Sequence, residues 1–475
     1  MLDSTIDTLR DLLGTDVVIT EAEVLASRRR DYWAASALRE WRGDTMGEPG
    51  CVVRPRGPEQ VQDLVRFCGG NGIGLMPFGL GSGVCGGVLP TDDVVLLDMS
   101  SMSRTREIDD HDLLATFDAG KNGLEAEEEV AQRGLTIGHW PQSIAVSSVG
   151  GWVSTRASGQ FSTAYGNIED IVYSIEAVLP DGELVHLGKA PRAAAGPDLR
   201  HVVMGAEGTM GVVTGVTLSL RRAPASRRLT AFHAPGATPT DTMALGIEAQ
   251  RRIVQSDWRP PVMRLYDGSE VARNFPEHRS GDDAALLMVH EGPAGRVDAE
   301  VADVTRIATE AGLTMTDAGM VERWLESRNH VPTWTDFFER GAVVDTIEIS
   351  APWSRIVDVY DAVVASLGQV EGIVNASAHS SHVYRSGINL YFSFAVLAEV
   401  ADMEERYFEC WHRTMEATAA NGGGIAHHHG SGRLRIPYLH HDLGAGGVQL
   451  LRTLKGAVDP AGIMNPGNLI PPPPL

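Results

Sequence analysis

The stretch PFGLGSGVCGG, residues 77–87, carries five glycines among eleven positions and continues a run, IGLMPFG (73–79), that predicts a β-strand. Glycine tolerates positive φ and lets other groups approach the backbone closely, so successive amides can turn toward an anion such as a pyrophosphate. The stretch opens no predicted helix, as the dinucleotide fingerprint would, and it lacks the Gly-Lys-Ser/Thr end of a P-loop. Taken alone, it is compatible both with a phosphate cradle and with an ordinary glycine-rich turn.

The sequence around this stretch alternates between short β-rich runs and helical runs. Before it, CVVRP (51–55) predicts a strand and PEQVQDLVRFCGGNG (58–72) predicts a helix closed by glycine. After it, VVLLDMS (94–100) predicts a strand and GLEAEEEVAQRG (123–134) predicts a further helix. This alternation indicates an α+β or α/β module.

Further strands are predicted beyond this module. IVYSIEAVLPDGELVHL (171–187) places two alternating runs about Asp181-Gly182, a pair typical of a tight hairpin. GVVTGVTLSL (211–220) alternates in the same way. Composition changes after residue 222, where strands such as GINLYFSFAV (387–396) mix with long helices. A second domain is therefore expected.

Charge and cysteine content limit the classes of function. The 475-residue chain has a formal net charge of -22, which repels phosphate backbones and argues against a nucleic-acid partner. No apolar run approaches the ~18 residues of a membrane span, and the acidic N-terminus lacks the features of a signal peptide. The four cysteines show no paired or metal-type spacing, which predicts buried thiols in a reducing, cytoplasmic setting.

Two longer stretches resemble a known family. SSVGGWVSTRASGQFSTAYGNIEDIV (147–172) and GPDLRHVVMGAEGTMGVVTGVTLSL (196–220) resemble the flavin domain of FAD enzymes of the vanillyl-alcohol oxidase and p-cresol methylhydroxylase (PCMH) type. The resemblance extends from about residue 45 and is nearest to the alkylglycerone-phosphate synthases, through YGNIED and HHHGSGRLR. It implies an α+β fold, in which a PCMH-type FAD-binding domain of two subdomains carries an α/β cap, or substrate, domain.

The resemblance also implies a division of the chain. Residues 1–44 are expected to form an N-terminal helical segment, 45–222 the FAD-binding domain and 223–438 the cap domain. Residues 439–475 are expected to form a C-terminal helix and a tail that returns to the FAD domain. The expected partners are FAD and a small-molecule substrate, and a homodimer stays open.

The FAD contacts of the family can be carried over residue by residue. They fall in four segments and comprise Pro77, Phe78, Gly79, Leu80, Gly81, Ser82, Gly83, Gln142, Ser143, Ser147, Ser148, Thr155, Arg156, Ala157, Ser158, Glu207, Gly208, Thr209, Met210, Gly211, Val212 and Val213. The serines and Thr155 are small hydroxyl donors that allow close approach. Neither histidine nor cysteine lies within 77–83, where some relatives bond the flavin, so the FAD is expected to be non-covalent. A link to Cys85 stays open.

The stretch IAHHHGSGRLR (425–435) contains three consecutive histidines. Adjacent side chains diverge by about 100° on a helix and point to opposite faces of a strand, so these imidazoles are not expected to converge on one ion. No metal is therefore predicted. The resemblance implies instead that His427, His428 and His429 are active-site groups, and that Tyr391, on an alternating strand, is the catalytic acid/base.

Other candidates concern the substrate. Arg264 matches a family arginine placed between the domains, and His379 lies in a polar stretch near Tyr391 in the sequence. Arg433 and Arg435 are either site residues or surface charges. The synthases bind the substrate phosphate through an arginine, which here is replaced by Trp334 or Thr335. Loss of that partner removes charge-assisted hydrogen bonds to a phosphate.

This difference from the synthases leaves three hypotheses, two for an enzyme and one for a flavoprotein without turnover. The first is an FAD-dependent oxidoreductase that oxidises a small alcohol, hydroxy acid or amine on a synthase-like scaffold. The alternative is an alkylglycerone-phosphate synthase, a transferase that exchanges the acyl group of acyl-dihydroxyacetone phosphate for a fatty alcohol through a flavin N5 adduct. The missing arginine favours the oxidoreductase, and the retained Tyr391 and histidines argue against a flavoprotein without turnover.

Overall fold

A computed structural model describes residues 3–471 of the chain. The strands are β1 (Val18–Ile19), β2 (Cys51–Val53), β3 (Gly74–Phe78), β4 (Val94–Asp98), β5 (Thr105–Asp109), β6 (Leu114–Asp118), β7 (Leu135–Thr136), β8 (Val172–Val178), β9 (Leu184–Leu187), β10 (Val212–Ser219), β11 (Arg221–Arg222), β12 (Ser226–Ala234), β13 (Val262–Tyr266), β14 (Ala284–Gly292), β15 (Thr314–Thr316), β16 (Ala342–Pro352), β17 (Ile373–Ser380), β18 (Val383–Tyr384) and β19 (Gly387–Leu397).

The helices alternate with these strands along the chain. They are α1 (Asp3–Leu13), α2 (Ala22–Ser27), α3 (Ala34–Arg42), α4 (Pro58–Asn71), α5 (Gly123–Ala131), α6 (Val149–Thr155), α7 (Ser162–Tyr165), α8 (Ile168–Ile171), α9 (Arg200–Val203), α10 (Pro239–Gln255), α11 (Gly268–Asn274), α12 (Ala294–Glu310), α13 (Gly319–Ser327), α14 (Trp334–Phe338), α15 (Ile356–Leu367), α16 (Met403–Ala420) and α17 (Leu439–Val458).

The first sheet has the order β1-β2-β4-β3, with β2, β4 and β3 parallel to one another. Helix α4 connects β2 to β3 and buries Val61, Leu64, Val65 and Cys68, the spacing of one helical face. The strands and the helix predicted around the glycine-rich stretch are confirmed. That stretch begins at the carboxyl end of β3.

The second sheet is antiparallel, with the order β5-β6-β10-β8-β9. The predicted hairpin at Asp181-Gly182 joins β8 to β9, and Gly182 has φ +82°, a conformation that glycine adopts without strain. Side chains from the first two sheets, among them Leu97 and Ile175, belong to one hydrophobic core. The two sheets therefore form a single packed unit.

The third sheet has eight strands, in the order β15-β12-β14-β13-β17-β19-β16, with β18 added beside β19. Leu390, Phe392 and Phe394 on β19 are buried in the core beneath α15 and α16, so the intervening Tyr391 lies on the opposite face. Helix α3 packs into the same core, because Ala35 and other α3 side chains belong to it.

The C-terminal segment crosses back to the first sheet. After α17, the Leu75 amide donates to the Ile463 carbonyl at 2.8 Å, and the Asn465 amide donates to the Leu75 carbonyl at 2.8 Å. In the part of the chain that the structure describes, no helix combines the length and the apolar character needed to cross a membrane. All four cysteines are buried, as their spacing predicted.

Candidate active site

Tyr391 lies at the centre of a cluster of imidazoles. Its hydroxyl is 2.9 Å from Nε2 of His428 and 3.1 Å from Nε2 of His382. His379, on β17, stacks on the Tyr391 ring with centroids 4.7 Å apart. The structure therefore brings the predicted Tyr391, His428 and His379 together, and it adds His382 as a direct partner of the phenol.

The expectation that the adjacent imidazoles diverge is wrong for His427 and His428. Their Nδ1 atoms are 2.7 Å apart. The segment 425–435 forms neither helix nor strand, so the side-chain directions of those elements do not apply to it. His427 Nε2 also lies 2.7 Å from the Tyr384 hydroxyl.

A buried carboxylate holds this segment in place. Glu348 Oε1 accepts the backbone amides of His427, His428 and His429 at 3.2, 3.1 and 2.8 Å. The same oxygen accepts Arg435 Nη1 at 3.0 Å, while Arg435 Nη2 donates to Glu348 Oε2. Glu348 is on β16, and its importance was not apparent from the sequence.

The contacts of Arg435 and Arg433 decide whether these two arginines are surface charges. Arg435 is 0% exposed, so the surface reading is wrong for it. Burial alone would raise the pKa of Glu348, but the charge of Arg435, its hydrogen bond and the neighbouring His429 and His428 together hold that pKa well below its usual value. Arg433 is half-buried and donates to the carbonyls of Leu89 and Pro466 at 3.2 and 3.1 Å, so it too has a structural role.

The imidazoles around Tyr391 are held neutral. Burial lowers the pKa of His427 to about 4, and it lowers the pKa values of His428 and His382 well below the ordinary value. Positive charge on neighbouring imidazoles would lower those of His428 and His382 further. Burial likewise raises the pKa of the Tyr391 phenol. Near neutral pH, the cluster therefore consists of neutral rings with one donor and one acceptor nitrogen each.

Three of these imidazoles could share an ion. Ligand atoms of His382, His427 and His428 lie within 4.8 Å of one another. The same rings are already engaged with Tyr391, Tyr384, Ser162 and each other through hydrogen bonds. The absence of a metal stays a prediction, and chelation tests it.

Arg264 and His379 flank the cluster. Arg264 is buried and donates to the Tyr266 hydroxyl and to Ser381 Oγ, both at 2.7 Å. His379 Nδ1 lies 2.9 Å from Glu270 Oε2. Among the described residues, Arg264 has no carboxylate partner. Its guanidinium is held by hydrogen bonds to neutral hydroxyls and its charge is not neutralised.

Trp334 lies apart from this cluster. It begins α14, donates from Nε1 to the Tyr32 carbonyl at 3.0 Å and packs on the Tyr32 ring. Six residues earlier, Arg328 lies over the rings of Trp140 and Phe161, at 4.9 and 5.2 Å. Its guanidinium likewise forms no ion pair with any residue in the range 3–471, and burial lowers its pKa to about 10.

The glycine-rich stretch has the features of an anion cradle. The amides of residues 80–84 donate to no other described residue, and the residues themselves are only partly buried. Gly81 has φ +74°, and a Cβ there would lie 2.8 Å from the Phe78 ring. Five free amides on a positive-φ turn fit the pyrophosphate of FAD, because such amides bind anions without a side chain.

The four segments predicted to bind FAD converge. A Cβ on Gly79 would lie 2.5 Å from Ser148 Oγ, and one on Gly208 would lie 2.9 Å from Pro77 Cγ. The Glu207 amide donates to the Ser154 carbonyl at 2.9 Å, which places the third segment beside the fourth. The residues present therefore fit the cofactor as a group.

Several predicted cofactor side chains have partners within the protein. Ser147 Oγ accepts Trp152 Nε1 at 2.8 Å, and Ser148 caps α6 by accepting the Gly151 amide at 3.2 Å. Thr155 Oγ1 donates to the Gly151 carbonyl at 3.0 Å. These hydroxyls shape the backbone, so we expect this region to contact FAD mainly through main-chain groups.

The outer members of these segments are also engaged. Glu207 Oε1 accepts the amides of Ser431 and Gly432 at 2.7 and 3.1 Å, so its carboxylate fixes the loop after the histidines. Arg156 Nη2 pairs with Glu169 at 3.0 Å. Gln142 Nε2 donates to the His330 carbonyl at 2.6 Å. Four further predicted side chains are buried: Thr209, Met210, Val212 and Val213.

Cys85 faces the protein core. Its sulfur lies 3.8 Å from Arg435 Nη1, and its carbonyl accepts the amides of Arg433 and Leu434. Burial raises the pKa of the thiol well above its ordinary value. A protonated thiol is a poor nucleophile, which agrees with the expectation of non-covalent FAD.

The chain matches two family models in succession. Residues 49–188 match the FAD binding domain, and residues 235–469 match the C-terminal domain of FAD linked oxidases. FAD is therefore the cofactor, as the sequence predicted, and the residues described above are those that would hold it.

Similar proteins fall in the same group. The uncharacterized FAD-linked oxidoreductase YgcU of Escherichia coli K12 is 31% identical, over 98% of this chain and 98% of its own length. The alkyldihydroxyacetonephosphate synthase of Dictyostelium discoideum is 28% identical over 90% of this chain and 74% of its own. The structure of p-cresol methylhydroxylase aligns with a TM-score of 0.77 at 17% identity, covering 98% of this chain and 96% of that one. The expected PCMH-type fold is confirmed.

Proposed function

The chain belongs to the family of FAD-linked oxidoreductases, and we propose that it oxidises a small alcohol, hydroxy acid or amine, with Tyr391 as the residue that accepts the substrate proton. That the chain is an enzyme follows from the family. The substrate class and the roles of individual residues are what we propose.

The reaction divides between cofactor and protein. Oxidation of a carbinol to a carbonyl removes a hydride from carbon and a proton from oxygen, or from nitrogen for an amine. FAD, when bound, accepts the hydride equivalent. The protein's task is to orient the substrate and to remove the proton, which a positioned acid/base group accelerates by about 10²–10⁴.

The carrying observation is the hydrogen bonding of Tyr391. Its hydroxyl contacts His382 Nε2 and His428 Nε2 at 3.1 and 2.9 Å, so the phenol can release its proton to an imidazole as it accepts one from the substrate. This exchange avoids a free phenolate, which burial disfavours. A tyrosine with only apolar neighbours could not work in this way.

Arg264 supports a substrate that carries an anion. Its buried guanidinium donates only to neutral hydroxyls, and its positive charge reaches Tyr391, where it acts to lower the phenol's pKa against the larger effect of burial. A substrate carboxylate beside Arg264 would complete a charge-assisted pair. Among the three classes proposed, this observation favours the hydroxy acid.

A transferase of the alkyldihydroxyacetonephosphate synthase type is the second candidate. Arg328 favours it, since this half-buried cation lies on the loop that precedes Trp334 and makes no ion pair with a described carboxylate. It could bind a phosphate in place of the arginine that the sequence lacks at Trp334.

Anaerobic mixing separates the two candidates. Purified holoprotein is mixed with 2-hydroxy acids, small alcohols and amines, and separately with acyl-dihydroxyacetone phosphate and a fatty alcohol. Stable loss of the oxidised flavin absorbance with the first set, together with formation of the carbonyl product, is expected. An ether product without net flavin reduction would replace the proposal by the transferase. No reaction with any compound of the first set would contradict it.

A further inference from the structure

We propose that Tyr384 is the outer end of a proton relay that begins at Tyr391 and passes through His428 and His427. The inference rests on the proposed function for its direction, since a substrate proton must reach Tyr391 before it can be relayed. The arrangement of the four side chains is independent of that function. Tyr384 acts through the imidazoles and is a positioning residue.

The four side chains form an unbroken hydrogen-bonded chain. The Tyr391 hydroxyl is 2.9 Å from His428 Nε2, and His428 Nδ1 is 2.7 Å from His427 Nδ1. His427 Nε2 is 2.7 Å from the Tyr384 hydroxyl. Each imidazole thus uses one nitrogen toward Tyr391 and the other toward Tyr384, which is the arrangement that proton relay requires.

The direction of the chain follows from His382. Two buried hydroxyls lie beside His382 Nδ1. Ser158 Oγ, at 3.0 Å, gives its own proton to Asn167 Oδ1, whereas Ser162 Oγ, at 2.6 Å, has no other described partner and therefore donates to the ring. A neutral His382 therefore carries its proton on Nε2 and donates it to the Tyr391 oxygen. The Tyr391 proton is then left for His428, so His428 is protonated on Nδ1 and His427 on Nε2.

The outer end lies on the side of the FAD domain. Asn167 Nδ2 donates to the Tyr384 hydroxyl at 3.0 Å, and Tyr384 is half-buried. After burial, the charge of Glu169 is the largest influence that raises the Tyr384 pKa, so a carboxylate lies near this end. Glu169 Oε2 is buried and has no hydrogen-bond partner among residues 3–471.

A relay is needed because the imidazoles do not retain an added proton. His382 is buried and His427 and His428 are half-buried, and positive charge on one ring lowers the pKa of the next. A proton accepted from the substrate at Tyr391 therefore moves outward along the chain. In each transfer one O–H or N–H bond breaks as the next forms, and half-buried Tyr384, on accepting the His427 proton, releases its own hydroxyl proton to solvent water, so no oxidant is required.

Histidine tautomers test the chain without any substrate. In ¹⁵N-histidine-labelled holoprotein, two-bond ¹H–¹⁵N spectra are expected to show neutral rings protonated on Nδ1 in His428 and on Nε2 in His427 and His382. Tyr384→Phe is expected to keep the His427 tautomer, which His428 fixes, and to shift the His427 Nε2–H signal because the acceptor of that proton is lost. Tyr438→Phe is the matched control, because the Tyr438 hydroxyl contacts His412 Nδ1 at 3.3 Å outside the cluster. The same tautomer in His427 and His428, or an imidazolium at neutral pH, would overturn the relay.

Kinetics test the direction. With the substrate found by anaerobic mixing, Tyr384→Phe is expected to slow flavin reduction by roughly tenfold and to change the solvent isotope effect, since one acid/base group of the path is lost. Tyr438→Phe is expected to leave both at the wild-type value. A wild-type rate and isotope effect in Tyr384→Phe would overturn the proposal. If no substrate reduces the wild-type flavin, the proposed function fails, and the tautomer measurement still decides the relay.

Discussion

The glycine-rich cradle and the imidazole cluster are built in opposite ways, although they are joined where the Arg433 amide meets the Cys85 carbonyl at 3.0 Å. The cradle offers backbone amides from the contiguous residues 80–84. The cluster joins distant side chains, since Ser158 and His382 are 224 residues apart and Glu348 and Arg435 are 87 apart. The cradle is thus encoded locally, whereas the cluster depends on the assembled fold.

The largest effect is expected at the ion pair beneath the cluster. Glu348→Gln leaves Arg435 buried without a carboxylate, which typically costs about 3–5 kcal/mol in the free energy of unfolding. Denaturant unfolding of the holoprotein measures it. The control is Glu404→Gln, because Glu404 pairs with Arg39 and Arg42 near the surface and should cost about 1 kcal/mol or less. Equal losses in the two variants would contradict a special role for Glu348.

The next effect concerns His428. Alanine removes the imidazole that accepts the Tyr391 proton, and turnover should fall by a factor of about 10² while the flavin spectrum is retained. His412→Ala, at the surface, is the control and should not change turnover. A metal role gives a different pattern. Chelators would then silence the wild type and added metal would restore it, which we do not expect.

A substitution in the cradle should weaken the binding of FAD and leave the rate of the chemical step unchanged. Gly81→Ala forces a Cβ onto φ +74° at 2.8 Å from the Phe78 ring, a strain of about 1–2 kcal/mol. FAD should bind roughly tenfold more weakly, as titration of the apoprotein would show. Gly70→Ala, with no atom within 4 Å of its Cβ, is the control. If both variants bound FAD like the wild type, residues 80–84 would not be the cradle.

The smallest effect is the pH dependence of stability. Burial lowers the pKa of His427 from 6.5 to about 4, so between these values the unfolded chain binds more protons than the folded one. Stability from this residue is therefore present above the unfolded value and declines as pH falls. Between about pH 7 and 5.5 the decline should be about 1 kcal/mol. The decline should be smaller in His427→Asn, and an unchanged slope would show that the pKa of His427 is the same in the folded and unfolded states.

Prediction from sequence succeeded where the signal is local. The strands and helix around residues 51–100 and the Asp181-Gly182 hairpin could be read from periodicity and turn chemistry. The cradle could be read from its glycines, and FAD as the cofactor from the family's long motifs. In each case, neighbouring residues determine the structure.

The cluster could be predicted only in part. Resemblance pointed to Tyr391 and the histidines, but rules for helices and strands gave the wrong geometry for His427 and His428, which lie in an irregular segment. Glu348 occupies an alternating strand, where a lone glutamate is typical of a solvent-facing position. Glu348 can be buried because it pairs with Arg435, and the residues near either one in the sequence do not indicate that pairing.

The central claim is that Tyr391, bonded to neutral imidazoles, removes the substrate proton. The most direct test is stopped-flow anaerobic reduction of Tyr391→Phe, compared with the wild type, using the substrate found by mixing. The phenyl ring can still stack on His379, so FAD content and unfolding should be unchanged, while flavin reduction should slow by about 10²–10⁴. A wild-type rate of flavin reduction in Tyr391→Phe would contradict the claim.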